Sequence, residues 1–248
     1  IFINWFAVLQ NKNKMRRFIK IFIIIMLGIL LAVGIVGGYF LTTAFLIGPK
    51  DLGVEYTAKD LQRIAEAIGG DRVYPNDMSE SSDIFEDYNL NYSDPKAYNL
   101  EITPEELGAI IAEILPPAFP VKDLQMIIHD DGTVEVSCRA NLEVLVNHFF
   151  NDVADNIPIP VPKNANVYIK GKLTTINGVS TVDIESAKIG ALGIPQKYLT
   201  PENQQSIARY ADRFQTAAPG VVVRELSFDN NKIYFDGDFP DSYYITDK

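Results

Sequence analysis

From Ile21 to Ile47 the chain runs for 27 residues without a charged side chain, each position being apolar, Gly, Thr or Tyr. In a bilayer every backbone polar group must be paired internally, so such a run is stable there only as a helix. At about 1.5 Å per residue it reaches roughly 40 Å, more than the ~30 Å hydrocarbon core, and spans with some tilt. A cleaved signal peptide is the competing reading. Its apolar region is usually about 7 to 15 residues and ends at a small-x-small site, which Thr42-Thr43-Ala44-Phe45-Leu46 matches poorly. The expectation is an uncleaved single-pass transmembrane helix over 21-47. No Cys follows closely, which excludes lipoprotein attachment.

Orientation follows from the basic cluster before the run. Lys12, Lys14, Arg16, Arg17 and Lys20 precede it, whereas Lys50 after it is balanced by Asp51. Basic residues stay on the cytoplasmic side, so the N terminus is expected in the cytoplasm and the C-terminal part outside, with the cell membrane as the location and the lipid bilayer as the first partner. Met15 before Arg16-Arg17 reads as a natural start, which leaves the apolar Ile1 to Leu9 piece as either upstream sequence or an interfacial segment. Gly34 and Gly38 give a small-xxx-small spacing that suits a homodimer of close-packed helices.

The formal charge of -10 averages two unlike parts, since the first 49 residues contain five basic groups and no acid, leaving a balance of -15 beyond them. A chain that is 47% hydrophobic is no disordered polyanion, and the acidic excess argues against a nucleic-acid partner. An acidic surface is repelled from anionic headgroups within a Debye length of about 8 to 10 Å, so flat docking on a leaflet is disfavoured. With one cysteine, Cys138, no internal disulfide can form.

Beyond the run, Thr57 and Asp60 form a capping-box pair before Leu61, Ile64, Ala65 and Ile68 at helical spacing, and Gly69-Gly70 ends the pattern. Residues 71-99 gather Asp, Glu, Ser, Asn and Tyr without periodicity, which predicts a long acidic loop with one strand around Tyr98 to Ile102. Thr103, Pro104 and Glu106 then mark a helix start as N-cap, first helical position and box partner. Its stripe of Leu107, Ile110, Ile111, Ile114 and Leu115 stops at Pro116-Pro117. Three hairpins follow from alternation around turns at Asp130-Asp131-Gly132, Asn177-Gly178 and Asn230-Asn231. Helical spacing returns from Leu142 to Val153 and from Thr200 to about Pro219. The fold class expected is α+β: a curved antiparallel sheet of about six strands with amphipathic helices on its apolar face, preceded by one transmembrane helix. The segments are 1-20, a basic cytoplasmic N terminus; 21-47, the span; 51-99, a membrane-proximal helix and acidic loop; and 100-248, an extracytoplasmic α+β domain.

Catalytic signatures are absent: no G-x-S-x-G, S-x-x-K, P-loop or H-E-x-x-H occurs. Cys138 falls on the apolar side of its strand and is read as core packing, while His129 and His148 are read as surface or cap residues. Asp236, Asp238 and Asp241 lack the alternation and terminal Glu of a calcium loop and are read as a solvated turn, so neither a metal nor a cofactor is expected. The remaining candidate is the apolar face itself. Its lining would come from Leu107, Ile110, Ile111 and Ile114 on the helix, Val134 and Val136 on one strand, and Val167, Ile169 and Leu173 on another. Either these residues interlock as a solid core, or the sheet curls enough to admit an acyl chain at about 0.8 kcal/mol per buried CH₂.

The order of elements, carried by ITPEELGAII, DDGTVEVS, the helix and proline crossing, VYIKGKLTTINGVSTVDIESAKIGALGIP and a late helix, resembles the YpmS-like membrane-anchored proteins of Gram-positive bacteria. More distantly it is similar to the tubular lipid-binding (TULIP/BPI-like) superfamily, in which a curved sheet wraps a long helix around an apolar channel. The resemblance covers roughly Leu100 to Ile194 and implies a non-catalytic extracytoplasmic domain that binds a lipid or a lipid-linked cell-envelope component. A structural module scaffolding an envelope complex with an envelope protein partner is the alternative, its contacts on the acidic 71-99 stretch and the glycine-bearing span. An envelope hydrolase is third, for want of an activated nucleophile.

Overall fold

The computed structural model describes residues 48-149, 163-215 and 220-248. The run Ile21–Ile47, with Gly34 and Gly38, lies outside the described residues. No helix among the described residues is long and apolar enough to cross a membrane. The described residues all fall in one compact unit.

Helix α1, Ala58–Ile68, starts at Thr57 with the full capping box to Asp60 and ends at Gly69, whose φ of 56° suits glycine. Helix α2, Pro104–Ala109, starts at Thr103 with a second box closed by Glu106. It continues as a π turn over Ile110–Ile114, where Leu115 N–H reaches the Ile110 carbonyl at 2.9 Å. Pro116 and Pro117 offer no N–H to the next carbonyls, and the Tyr243 hydroxyl donates to the Ile114 oxygen at 2.6 Å instead.

An eight-stranded curved antiparallel sheet forms the main layer. Its strands are β3 (Pro95–Ile102), β4 (Val121–Ile128), β5 (Val134–Asn141), β6 (Asn164–Ile176), β7 (Val179–Ile189), β8 (Leu192–Gly193), β9 (Val222–Asp229) and β10 (Lys232–Pro240). The three expected hairpins are β4–β5, β6–β7 and β9–β10. Their turns use the left-handed region as the residue types allow: Gly132 at φ 76°, Asn177 and Gly178 at 53° and 74°, Asn230 and Asn231 at 50° and 57°. β6 joins them: β5 pairs with it from Asn164 to Gly171, β9 with Thr175 and Ile176, and β7 along its other edge. β3 closes the far side by pairing with β10.

Helix α3 is Leu142–Phe149 and helix α4 is Pro201–Gln215. Along α4, Gln204 Oε1 accepts the Ile184 N–H at 3.1 Å and Asp212 Oδ1 the Ser180 N–H at 2.9 Å. Eight helical residues cover about 12 Å and four strand residues about 13 Å, so α4 runs antiparallel to β7 and satisfies its open edge at matched intervals. The main core lies under α1 and α2, where Ile64, Ile68 and Ile114 meet Ile102, Met126, Ile128, Val134 and Ile233.

Two expectations require correction. Residues 71-99, read as an acidic loop with one strand, carry β1 (Arg72–Val73), β2 (Tyr88–Tyr92) and most of β3. β11 (Tyr243–Asp247) pairs with β1 and β2 as a small sheet, above which Met78, Ile84, Tyr88, Ala118 and Ile245 make a second core. Strands formed by pairing with a segment about 150 residues away leave no local period to read. The boundary drawn at 99/100 falls inside β3, and the strand total exceeds the six expected from hairpins alone.

Glu106 is 1% exposed, and both its oxygens face the Arg63 guanidinium of α1 while Oε2 accepts the Thr103 N–H at 2.8 Å. Glu106→Ala opens the capping box at the Thr103 N–H, leaving the Thr103 side-chain cap in place, and strips Arg63 of its carboxylate partner. Arg63 is half-exposed, which limits the electrostatic share, so the expected loss is about 1 to 3 kcal/mol, read from the urea midpoint.

Candidate functional site

Strand register places one row of side chains across the helix-covered face. Met126 of β4 lies opposite Val136 of β5, Val136 opposite Ile169 of β6, and Ile169 opposite Ala187 of β7. At one end the row enters the main core. At the other, Ala187 packs with Ile184, Leu199 and Ile207 beside α4. Ile169 stands between two covers, with a paired strand on either side, yet is 37% exposed.

Val167 and Leu173 flank it along β6, both half-buried, opposite Cys138 or Val182. From Val167 to Leu173 the strand extends roughly 20 Å at about 3.3 Å per residue, more than the ~15 Å of one leaflet's hydrocarbon. Within this strip Gly171 sits at a bulge, where a Cβ would lie 2.3 Å from the Asp183 carbonyl oxygen, so only glycine fits.

The nine candidate lining residues divide. Leu107, Ile110, Ile114, Val134 and Val136 belong to the interlocked main core. Ile111 is buried outside that cluster, and Val167, Ile169 and Leu173 form the strip on β6. Ala187 was not legible as a wall residue because the β7 bulge, which skips Glu185 against β6, shifts the alternation after Ile184.

The opposite face of the sheet is polar and carries the segment that follows residue 47. Lys50 Nζ bonds Glu135 Oε2 at 2.8 Å and lies 4.3 Å from the Tyr168 ring centroid. The Tyr168 hydroxyl donates to the same Glu135 oxygen at 2.7 Å, and His129 Nε2 meets Oε1 at 3.1 Å. Leu52 N–H then bonds Gln125 Oε1 at 2.6 Å, and the Tyr56 hydroxyl donates to Glu113 at 2.6 Å. Residues 50 to 56 are thereby strapped from β5 and β6 across β4 to the π turn. Lys50, then Tyr168 and His129, hold the Glu135 carboxyl down at about 2. Lys50 is raised chiefly by Glu135, and Tyr168 chiefly by burial.

Other chemistry-bearing groups have structural partners. Asp236 and Asp238 lie in β10, not in a solvated turn, and clamp Arg224 at 2.8 Å each, which raises the guanidinium further; Asp241 pairs with Lys96. Cys138 is 8% exposed, and burial pushes its thiol up to about 11. Such a thiol is a poor nucleophile.

Because the Glu135 carboxyl is depressed from 4.5 to about 2, its contribution is complete above pH 4.5 and is lost as pH falls toward 2. Replacing it by Glu135→Gln should flatten the fall in thermal midpoint across that window and speed tryptic cleavage after Lys50 at neutral pH. An equally steep fall in the variant would show that Glu135 does not govern the strap. Comparison of the chain with protein-family models, with curated proteins and with solved structures finds no match.

Proposed function

We propose that this chain is a membrane-anchored extracytoplasmic protein whose α+β domain holds an acyl chain of a lipid or lipid-linked envelope component, without catalysis, along the β6 strip. The single observation that carries the reading is Ile169: an isoleucine on a central strand, on the apolar face, 37% exposed between two packed clusters. Interiors close over such side chains, because each loses favourable burial otherwise. An acyl chain lying along Val167, Ile169 and Leu173 supplies that burial, and the charge-free run Ile21–Ile47 keeps the domain near a source of such chains.

Ile169→Asp places a carboxylate in the strip at a side chain that belongs to neither cluster. It should weaken binding of a fluorescent fatty acid to the full chain in detergent about 10- to 100-fold, the equivalent of about 1.5 to 3 kcal/mol of apolar burial. Unchanged affinity, together with a purified chain that carries no lipid in native mass spectrometry, would sink the reading.

A second reading, an interaction module for an envelope protein partner, is favoured by the tip of the β6–β7 hairpin. Ile176 and Val179 are 65% and 64% exposed there, and Val222 of the adjoining strand is 46% exposed. Clustered exposed apolar side chains mark contact surfaces. Under this reading Ile176→Asp with Val179→Asp abolishes co-purification of the partner from crosslinked cells while leaving fatty-acid binding intact; retained co-purification removes it.

A further inference from the structure

The acidic stretch before β2 closes as one turn that turns two carboxylates to the same side. Asp83 caps it, Oδ1 accepting the N–H of Phe85 at 3.0 Å and of Glu86 at 3.2 Å. Glu86 and Asp87 N–H reach back to the Asp83 carbonyl at 3.2 and 2.8 Å, so residues 83 and 86 stand three apart on a helical turn. From α3, His148 brings Nε2 to 3.1 and 2.9 Å from the two Asp83 carboxylate oxygens, its ring packed on Phe85 with centroids 4.8 Å apart. One ligand atom from each of Asp83, Glu86 and His148 lies within 4.8 Å of the other two.

Among the described residues, no Lys or Arg forms a salt bridge with either carboxylate; Lys248 donates instead to the backbone carbonyls of Phe85 and Glu86. Two carboxylates and an imidazole thus converge, and the nearby Lys248 ammonium is held on the turn's backbone carbonyls rather than on either carboxylate. The Asp83 and His148 side chains are 18% and 24% exposed, so water screens them only in part.

We propose that Asp83, Glu86 and His148 bind a divalent transition-metal ion of the zinc type, which clips α3 to the turn that carries Ile84 and Phe85 into the second core. One imidazole nitrogen and two carboxylate oxygens are zinc donors, whereas calcium and magnesium take oxygen almost exclusively. Bonds of about 2.0 to 2.2 Å from one ion to each ligand place tetrahedral ligand atoms roughly 3.3 to 3.5 Å apart. Asp83 and His148 stand close to that separation, and the exposed Glu86 side chain reaches it by a change of rotamer. Binding consumes the hydrogen bond from His148 to Asp83 and replaces it with two metal bonds. The site is independent of the lipid strip, and neither proposal rests on the other.

The test is zinc titration of the untagged full chain in detergent against a fluorescent competing chelator, with thermal midpoints recorded alongside. Expected are a single ion per chain, a midpoint raised by zinc, and affinity weakened by at least about tenfold in both His148→Ala and Glu86→Gln, with His129→Ala unchanged. Glu86 is exposed and holds no salt bridge among the described residues, so Glu86→Gln decides the matter even if His148→Ala unfolds the domain. Absence of zinc binding at micromolar concentrations, or equal binding by wild type and Glu86→Gln, overturns the proposal.

Discussion

The main sheet, and every helix layered on it, depends on the pairing of β6. Its thirteen residues give one edge to β5 and then, past the end of β5, to β9, while β7 takes the other edge. Because side chains alternate with period two, this register sends Val167, Ile169 and Leu173 to the helix-covered face and Tyr168 and Lys170 to the other. A slip of one residue would bury the polar set and expose the apolar one, so the strip and the strap are consequences of the same ladder.

The sheet edges at β7 and at β4 are managed in unlike ways. At β7 the open N–H groups of Ser180 and Ile184 are taken by Asp212 and Gln204 of α4, which converts an aggregation-prone edge into a helix contact. On the outer face, the segment 50–56 crosses β4 and is fixed by the charge-assisted bond from Lys50 to Glu135, whose oxygen Tyr168 shares, and by the Leu52 N–H bond to Gln125. The second core fixes the remaining corner, where Tyr243 serves both the small sheet and the unsatisfied Ile114 carbonyl.

The division between interlocked and part-exposed apolar residues on this face follows from where the helices pack. Under α1 and α2 the residues Leu107, Ile110, Ile114, Val134 and Val136 interlock, as ordinary cores do. Between that cluster and α4 the cover is incomplete at Ile169. Alternation identifies all of these residues as facing one way, but it carries no information about how far apart two helices settle on a curved sheet. That is why a single lining set drawn from the sequence divides into a packed part and a strip.

What the sequence determined by itself was local. The capping boxes at Thr57 and Thr103, the three hairpin turns with their Gly and Asn residues, the inward side of β5 with Cys138, and the helical stripes all rest on interactions within about four residues, which spacing reports directly. Tertiary structure decided the rest: the pairing of β3 with β10 and of β2 with β11, the burial of Glu106 against Arg63, the approach of His148 to Asp83 and Glu86, and the exposure of Ile169. Each of these joins segments distant along the chain, so no window of neighbouring residues contains both partners.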